Sequence, residues 1–283
     1  MKAIKLASVF AVSALAAAIS TTTIAAEPTF KGTAGLEYKS MDKGSDAAAS
    51  RGEVNIIGTV GSVYFDLDME NGSDGGFDLD EIYVTQGAVQ FGDFDGTLLD
   101  SVAYSAGVEE DDDVAKNDDF GTDLGIRYAV NDSLKVALEV KEGDNIGSLA
   151  VAYSTNYAGL TLGVSAGYEM SDDDKADQVV TAGVKAPLGM ATLSSFVRIG
   201  SKDDLDVMNT GIGIDLPVSE QLTLAAQYFT RGGEASKGVD LADQGVTEVT
   251  AYYAVGDVKY YASMVSYEAK NKDYSVVGAK VSF

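Results

Sequence analysis

The chain has 283 residues with 44 acidic and 20 basic side chains, no histidine and no cysteine. This acidic balance argues against nucleic-acid partners, which attract basic surfaces, and the missing cysteine excludes disulfides as a source of stability. Histidine is the usual general base, proton shuttle and metal ligand, so its absence argues against an enzyme. We predict no catalytic activity, no cofactor and no bound metal.

The first residues have the pattern of an export signal. Lys2 and Lys5 precede an apolar stretch over residues 6–19, and Ala25 and Ala26 form a small-residue cleavage site before Glu27. We predict a cleaved signal peptide over residues 1–26 and a single mature domain over residues 27–283. The apolar stretch is shorter than the ~20 residues that a spanning helix needs, so a membrane domain of this chain must cross as strands.

From residue 27 onward, apolar side chains occupy every second position in runs of about 9 to 11 residues, as in a strand that crosses a bilayer. In the first run Leu36 and Tyr38 share one face, whereas Glu37 and Lys39 occupy the other. In a later run Asp66 lies between apolar neighbours in the same way. A buried strand of a soluble protein rarely tolerates one apolar and one ionised face.

Sixteen such runs can be counted, joined alternately by short turns and by longer polar segments. The pattern predicts an all-β fold, a transmembrane antiparallel up-and-down β-barrel of 16 strands, with 14 strands as an alternative. Residues 81–91 read as one strand. Residues 97–107 form the least regular run, because Asp100 falls among its apolar positions. A secreted β-sandwich is the competing interpretation, but the 15 tyrosines that recur toward strand ends favour a membrane barrel.

The chain resembles the general porins of Gram-negative outer membranes, which are trimeric 16-stranded diffusion channels. The most specific similarity is the last strand, which alternates up to a terminal aromatic residue. The resemblance implies an integral outer-membrane protein that contacts membrane lipid and lipopolysaccharide, forms a homotrimer and is recognised by the barrel-assembly machinery through this strand. The residues that carry the assembly signal are Val277, Gly278, Ala279, Val281 and Phe283.

In that family the third outer loop folds into the barrel and narrows the pore, with its acids facing basic side chains of the wall. Counting strands places the third loop at residues 108–121, where 119–121 partly match the family's Pro-Glu-Phe-Gly signature. The loop acids are Glu109, Glu110, Asp111, Asp112, Asp113, Asp118 and Asp119, and the basic wall residues are Arg127, Arg198, Arg231, Lys31 and Lys135. Alternatively, the acids form a solvated loop tip and the basic side chains pair within the wall.

A barrel of about 16 strands is too wide for side chains to fill and therefore encloses water. Rings of acids attract cations, so we predict an outer-membrane, cation-selective channel for passive diffusion of small hydrophilic solutes and ions. The alternative is a surface adhesin or structural anchor without an open pore. The acidic runs also have the chemistry to hold divalent cations that bridge to lipopolysaccharide phosphates.

Overall fold

The computed structural model describes residues 29–42, 46–70, 77–110, 123–140, 147–170, 176–236, 239–240, 244–268 and 273–283. The predicted signal peptide, residues 1–26, lies outside the described residues. Within the described segments no helix has the length and apolar character needed to span a membrane.

Almost all of the described chain is β-strand. The strands are β1 (Thr29–Met41), β2 (Ala47–Val60), β3 (Val63–Glu70), β4 (Phe77–Gln86), β5 (Val89–Asp93), β6 (Leu124–Ala129), β7 (Leu134–Val140), β8 (Gly147–Tyr157), β9 (Leu160–Met170), β10 (Ala176–Leu188), β11 (Ala191–Lys202), β12 (Leu205–Pro217), β13 (Leu222–Ser236), β14 (Val239–Asp240), β15 (Gln244–Val255), β16 (Val258–Tyr267) and β17 (Tyr274–Ser282).

Sixteen of these strands close into one antiparallel barrel. Each pairs with its two neighbours along the chain, β13 pairs with β15, and β17 returns to pair with β1. The two-residue strand β14 pairs only with β13, beside the barrel circuit. The all-β, antiparallel, 16-stranded prediction is therefore confirmed, and closure removes the unpaired edges that an open sheet would expose.

The connections divide the barrel into two rims. One rim, the short-turn rim, carries the turns at residues 61–62, 87–88, 130–133, 158–159, 189–190, 218–221 and 256–257. The chain also closes the barrel at this rim, where the backbones of Gly32 and Phe283 exchange two hydrogen bonds of 2.9 Å. The other rim carries the remaining connections, most of them longer, and is called the long-loop rim. Short turns on one side and loops on the other are typical of outer-membrane barrels.

The two faces of the wall differ as the alternation predicts. Leu36, Leu149 and Met264 point outward and are 61–69 % exposed. Glu139 and Glu248 point inward and are completely buried. An apolar outer surface of this extent matches a hydrocarbon surrounding, since soluble monomers rarely expose such continuous apolar area.

Two predicted strands are wrong, although the total of 16 is right. The run at residues 81–91 is divided by the turn at 87–88 into the end of β4 and the start of β5. The run at residues 97–107 is no strand: it contains a 3₁₀-helix, Leu98–Val102, followed by extended chain. The first error counted one strand too few and the second one strand too many, so the predicted total stayed correct. The third loop consequently begins at residue 94, earlier than the predicted 108.

Candidate functional site: the lumen loop and the pore wall

The segment between β5 and β6, residues 94–123, is called the lumen loop, and the structure describes it as far as residue 110. Its first residue, Phe94, is buried against the wall and stacks on Tyr83 with ring centroids 5.1 Å apart. The Arg127 guanidinium lies 4.0 Å from the Phe94 ring centroid and donates a hydrogen bond to the carbonyl of Gly96. Aromatic stacking and a cation–π contact therefore attach the first residue of the lumen loop to the wall.

A buried carboxylate on β7 holds the start of the 3₁₀-helix. The Leu98 N–H donates to Oε1 of Glu139 at 2.8 Å, and the Thr97 hydroxyl donates to Oε2 at 2.7 Å. Thr97 also caps the helix by accepting the Leu99 N–H at 3.2 Å. The Arg127 guanidinium lies 3.7 Å from the Glu139 carboxylate. Glu139 thus satisfies backbone and side-chain donors that the helix start would otherwise leave open.

The 3₁₀-helix rests on a bed of small residues. Leu98 and Leu99 are buried and pack against Ala137, Ala150 and Ala152 of β7 and β8. Three wall glycines complete this bed, because a Cβ on any of them would lie within 3.0 Å of Leu99, Val102 or Tyr104. These glycines are Gly163, Gly167 and Gly183.

An ion pair fixes the middle of the loop. The Arg198 guanidinium contacts the Asp100 carboxylate of the 3₁₀-helix, and its Nε donates to Thr181 at 2.9 Å. The Ser165 hydroxyl donates to the Leu99 carbonyl at 2.7 Å. The Arg198 side chain is only 1 % exposed, so this cation belongs to the attachment of the loop and is shielded from the open lumen.

Beyond the helix, extended chain crosses to β12 and β13. Ala103 packs on Phe196 and Phe229, and a Cβ at Gly213 would lie 2.7 Å from that of Ala106. The Gly107 N–H donates to the carboxylate of Asp215 at 2.9 Å. The loop therefore follows the inner wall from β7 round to β13.

A second buried carboxylate, Glu248 on β15, holds the far part of the described loop. Its Oε1 accepts the backbone N–H groups of Glu109 and Glu110, each at 3.0 Å. The Glu109 carboxylate accepts two hydrogen bonds from the Lys280 ammonium at 2.5 and 2.7 Å. The Glu110 carboxylate pairs with Lys39 at 3.4 Å. Backbone and side chains therefore both attach this part of the loop to β15, β17 and β1.

These contacts show where the predicted constriction residues lie. Glu109 and Glu110 are only 4 % exposed and are paired with wall lysines that the sequence did not single out. Arg127 and Arg198 lie against the lumen loop, as described above. Arg231 is half-buried on the inner face of β13, opposite Asn209 of β12. The acids Asp111, Asp112, Asp113, Asp118 and Asp119 lie outside the described residues.

The remaining predicted residues are two lysines near the short-turn rim and the residues of the terminal strand. Lys31 and Lys135 are exposed on the inner faces of β1 and β7. The terminal-strand residues all lie in or at the end of β17, with Val277 and Phe283 exposed on the outer face. Gly278 faces inward beneath the Tyr261 ring, where a Cβ would lie 2.3 Å from the ring. The strand closes the barrel against β1, with Val281 opposite Ala34 and Ala279 opposite Leu36.

An acidic patch on the opposite wall was not predicted as a site. The carboxylate oxygens of Asp66, Asp68 and Asp80 lie within 4.8 Å of one another. A β-bulge causes this, because Asp66 pairs with Glu81 and Leu67 with Leu79, which makes Asp80 an extra residue. The Asn55 amide donates to Asp68. The patch lies on β3 and β4, beside the start of the lumen loop, where the Asp95 N–H donates to Oε1 of Glu81 on β4 at 2.8 Å.

Sequence reasoning also missed Glu139, Glu248 and the glycine bed. A usable signal was present: Gly163, Gly167 and Gly183 occupy inward positions of consecutive strands, where a water-facing wall has no need for glycine. Small residues in such a row indicate that another chain segment packs closely on them. Glu139 and Glu248 had no distinguishing signal, because each looks like any other inward acid until the loop covers it.

A closed 16-stranded barrel with an apolar exterior, charged inner faces and a loop folded inside it defines the class of outer-membrane channel barrels. A sequence model of the Gram-negative porins matches residues 6–283. The chain belongs to this Gram-negative porin family, and it is an integral outer-membrane protein that forms a diffusion channel.

Solved structures share the fold at low sequence identity. In-vitro-folded OmpT of Vibrio cholerae, in its trimer form, aligns with a TM-score of 0.68 at 14 % identity, covering 90 % of this chain and 99 % of its own. The channel DcaP of Acinetobacter baumannii gives 0.69 at 14 %, covering 90 % and 97 %. Salmonella typhi OmpF in complex with daunomycin gives 0.64 at 11 %, covering 90 % and 97 %. No curated protein sequence matches the chain.

Proposed function

We propose that this porin is a water-filled, cation-selective channel for passive diffusion of small hydrophilic solutes and ions, without a catalytic step. The observation that carries the proposal is the path of the lumen loop. From residue 94 to 110 it follows the wall and is attached there by Glu139, Arg198 and Glu248. Because 16 strands enclose more space than side chains fill, a loop held against the wall leaves an aqueous passage beside it.

The cation preference is supported by how the charges are distributed. Arg127 and Arg198 are engaged with the lumen loop, and Lys39 and Lys280 are paired with its acids. The acidic patch groups three carboxylates on the wall of β3 and β4, of which Asp80 is exposed and Asp68 half-buried. Such a group concentrates cations and repels anions in a narrow aqueous space. The formal net charge of −24 acts in the same direction.

Export and assembly complete the proposal. Residues 1–26 are removed after export, and the terminal strand, which ends in an outward Phe283, is the segment that the barrel-assembly machinery recognises. The assembled protein is a homotrimer, as in the trimer form of Vibrio cholerae OmpT. Lipid surrounds its apolar face, and acidic outer loops contact lipopolysaccharide through hard divalent cations. Chemical crosslinking of membrane-embedded protein tests the trimer. The trimer is contradicted if the largest crosslinked species is a dimer or if the protein stays monomeric.

The channel proposal is tested by reconstitution in a planar bilayer under a KCl gradient. We expect stepwise currents and a reversal potential directed toward cations. An anion-directed potential contradicts the selectivity and leaves the channel intact. A correctly folded, inserted protein that gives no steps contradicts the channel itself and favours an adhesin or structural anchor.

A further inference from the structure

Four exposed lysines line the lumen at the short-turn rim. Each lies within three residues of the end or beginning of its strand at that rim, on β1, β7, β10 and β16. All four side chains are exposed. These inner lysines are Lys31, Lys135, Lys185 and Lys259.

Their position inside the barrel follows from residues on the same strand faces. Lys135 shares the face of Glu139, which holds the lumen loop, and Lys31 shares the face of Lys39, which pairs with Glu110. The Lys185 ammonium lies 5.4 Å from the ring centroid of Tyr104 in the lumen loop.

Lys259 faces inward on the same grounds. Its ammonium lies 5.2 Å from the Tyr252 ring centroid, and Tyr252 packs against the cluster that buries Ala106 and Val108 of the lumen loop. The four ammonium groups are therefore distributed round the mouth of the pore at the short-turn rim, and because they are exposed they contact the water of the pore.

The balance of charge on the lumen wall changes along the pore axis, although Lys39, which is paired with Glu110, and Lys202 also stand toward the long-loop rim. Toward the long-loop rim the inner faces carry Asp68 and Asp80 of the acidic patch, together with Glu169 and Asp177 near the outer ends of β9 and β10. Near the short-turn rim they carry the inner lysines, and the inward carboxylate of Asp215 accepts a hydrogen bond from Gly107.

The short turns also contain carboxylates, which belong to the rim itself. Asp132, Glu220 and Asp257 are exposed turn residues. They lie outside the lumen and face the bulk solution, where water of high dielectric constant weakens the field of each charge. The inner lysines act within the confined water of the lumen, where fixed charges set the local ion concentrations most strongly.

We propose that the inner lysines form a basic zone in series with an acidic zone toward the long-loop rim, which consists of Asp68, Asp80, Glu169 and Asp177, and that the pore is therefore a rectifier. This inference rests on the proposed channel function. Cations fill the acidic zone and anions fill the basic zone, so a field that drives both toward the boundary raises the carrier concentration. The opposite field draws both out of the pore and lowers it. Current is larger when the solution at the long-loop rim is positive.

Single-channel recording at low salt tests this proposal. At about 0.01 M KCl, where the Debye length is about 30 Å, we expect currents at opposite potentials of about 100 mV to differ by roughly 1.5-fold. At about 1 M KCl, where the Debye length is about 3 Å, the ratio falls to near one. Because the chain has no cysteine, Asp257→Cys with an impermeant thiol reagent on one side identifies the orientation of each channel.

The variant with Lys31→Gln, Lys135→Gln, Lys185→Gln and Lys259→Gln removes the basic zone, and we expect its current ratio to fall to near one at low salt. Lys202→Gln, near the long-loop end of β11, is the matched control and keeps the wild-type direction. Ohmic wild-type channels at low salt, or an unchanged ratio in the four-lysine variant, overturn the inference and leave the channel function standing. A folded, inserted protein without current steps overturns both.

One variant makes the test independent of folding differences between proteins. Lys259→Cys is recorded before and after reaction, in the same bilayer, with a positively charged or a negatively charged thiol reagent. We expect the positive adduct to restore the wild-type ratio and the negative adduct to lower it further. Equal ratios for the two adducts contradict the proposal.

Discussion

The two sides of the lumen are built from strands of the same pattern but have different inner surfaces. The loop-bearing wall, from β7 round to β15, presents glycine, alanine and two fully buried carboxylates. The wall of β3 and β4 contacts the start of the lumen loop, where Phe94 stacks on Tyr83, and presents the acidic patch beside this contact. The inner face of a barrel therefore has no single chemistry. Where a chain segment covers it, the wall is small and supplies hydrogen-bond acceptors, and where water covers it, the wall is charged.

An inward charged residue also has a different role on the two sides of the lumen. On the loop-bearing wall, Glu139 and Glu248 are structural acceptors whose partners are backbone N–H groups. On the opposite wall, Asp68 is half-buried and Asp80 exposed, and in the proposed channel these two carboxylates act on ions, whereas Asp66 beside them is buried. Burial decides between the two roles, because a buried carboxylate must be satisfied by donors of the protein.

The largest effect is expected from filling the glycine bed. In Gly183→Ala the new Cβ would lie 1.8 Å from the Val102 carbonyl oxygen, and a backbone atom cannot move aside by changing rotamer. We expect a loss of about 1–3 kcal/mol through overpacking, seen as a lower temperature of barrel unfolding in a heat-modifiability gel. Gly147→Ala is the control, since its nearest atom is 3.8 Å away. Equal unfolding temperatures of the two variants would contradict the close packing of the lumen loop on the wall glycines.

The next effect tests the buried acceptors. Glu248→Leu leaves two part-buried backbone N–H groups without their acceptor, and because solvent replaces part of the lost bonding we expect a cost of about 1 kcal/mol. We expect excess open-channel current noise as the far part of the lumen loop loses its attachment. Glu248→Gln retains Oε1 and is expected to stay closer to wild type. If the leucine and glutamine variants are equally noisy, acceptance by Oε1 is not what holds the loop.

The acidic patch is expected to affect selectivity and to leave stability nearly unchanged. The triple variant Asp66→Asn, Asp68→Asn and Asp80→Asn removes three charges from the wall of β3 and β4, and we expect the K⁺/Cl⁻ permeability ratio to fall by about two-fold or more. The measurement is the reversal potential under a KCl gradient. The matched control carries Asp132→Asn, Asp203→Asn and Asp204→Asn in exposed turns. A larger change in the control would assign the selectivity to net charge alone.

The smallest effect is expected from the side-chain ion pair at the end of the described loop. Lys280 is 27 % exposed, so solvent screens the pair, and the Glu109 backbone remains attached to Glu248. Lys280→Gln should therefore cost less than about 1 kcal/mol, and only at low salt. Thermal unfolding at low and high salt measures this. A loss that persists at high salt would show that the pair contributes more than screened electrostatics.

The sequence predicted the wall well because its signal is local. Alternation of apolar and polar side chains assigns each strand residue to a face without knowledge of its neighbours, so the outward positions of Leu36 and Val277 were correct. It failed where alternation is ambiguous. The bulge at Asp80 and the five-residue β5 hid the turn at 87–88, and the buried Leu98, Leu99 and Val102 imitated the apolar positions of a strand.

The site was only partly predictable, because its contacts join residues far apart in the chain. Glu109 and Glu110 were singled out correctly as loop acids, yet their partners Lys280 and Lys39 belong to strands more than 70 residues away along the chain. Arg198 was assigned to the inner wall, but its contact with Asp100 depends on the path of the lumen loop. Neither pairing has a signature in spacing or composition.

By itself the sequence determined that the chain is exported, crosses a membrane as strands and closes with one apolar and one polar surface. The physical reason is that lipid on one side and water on the other act on each residue separately. Only the tertiary structure decided which inward residues meet the lumen loop and which meet the pore. That choice depends on where one loop lies after the barrel has closed, which joins β5 to β15 through contacts that no local pattern encodes.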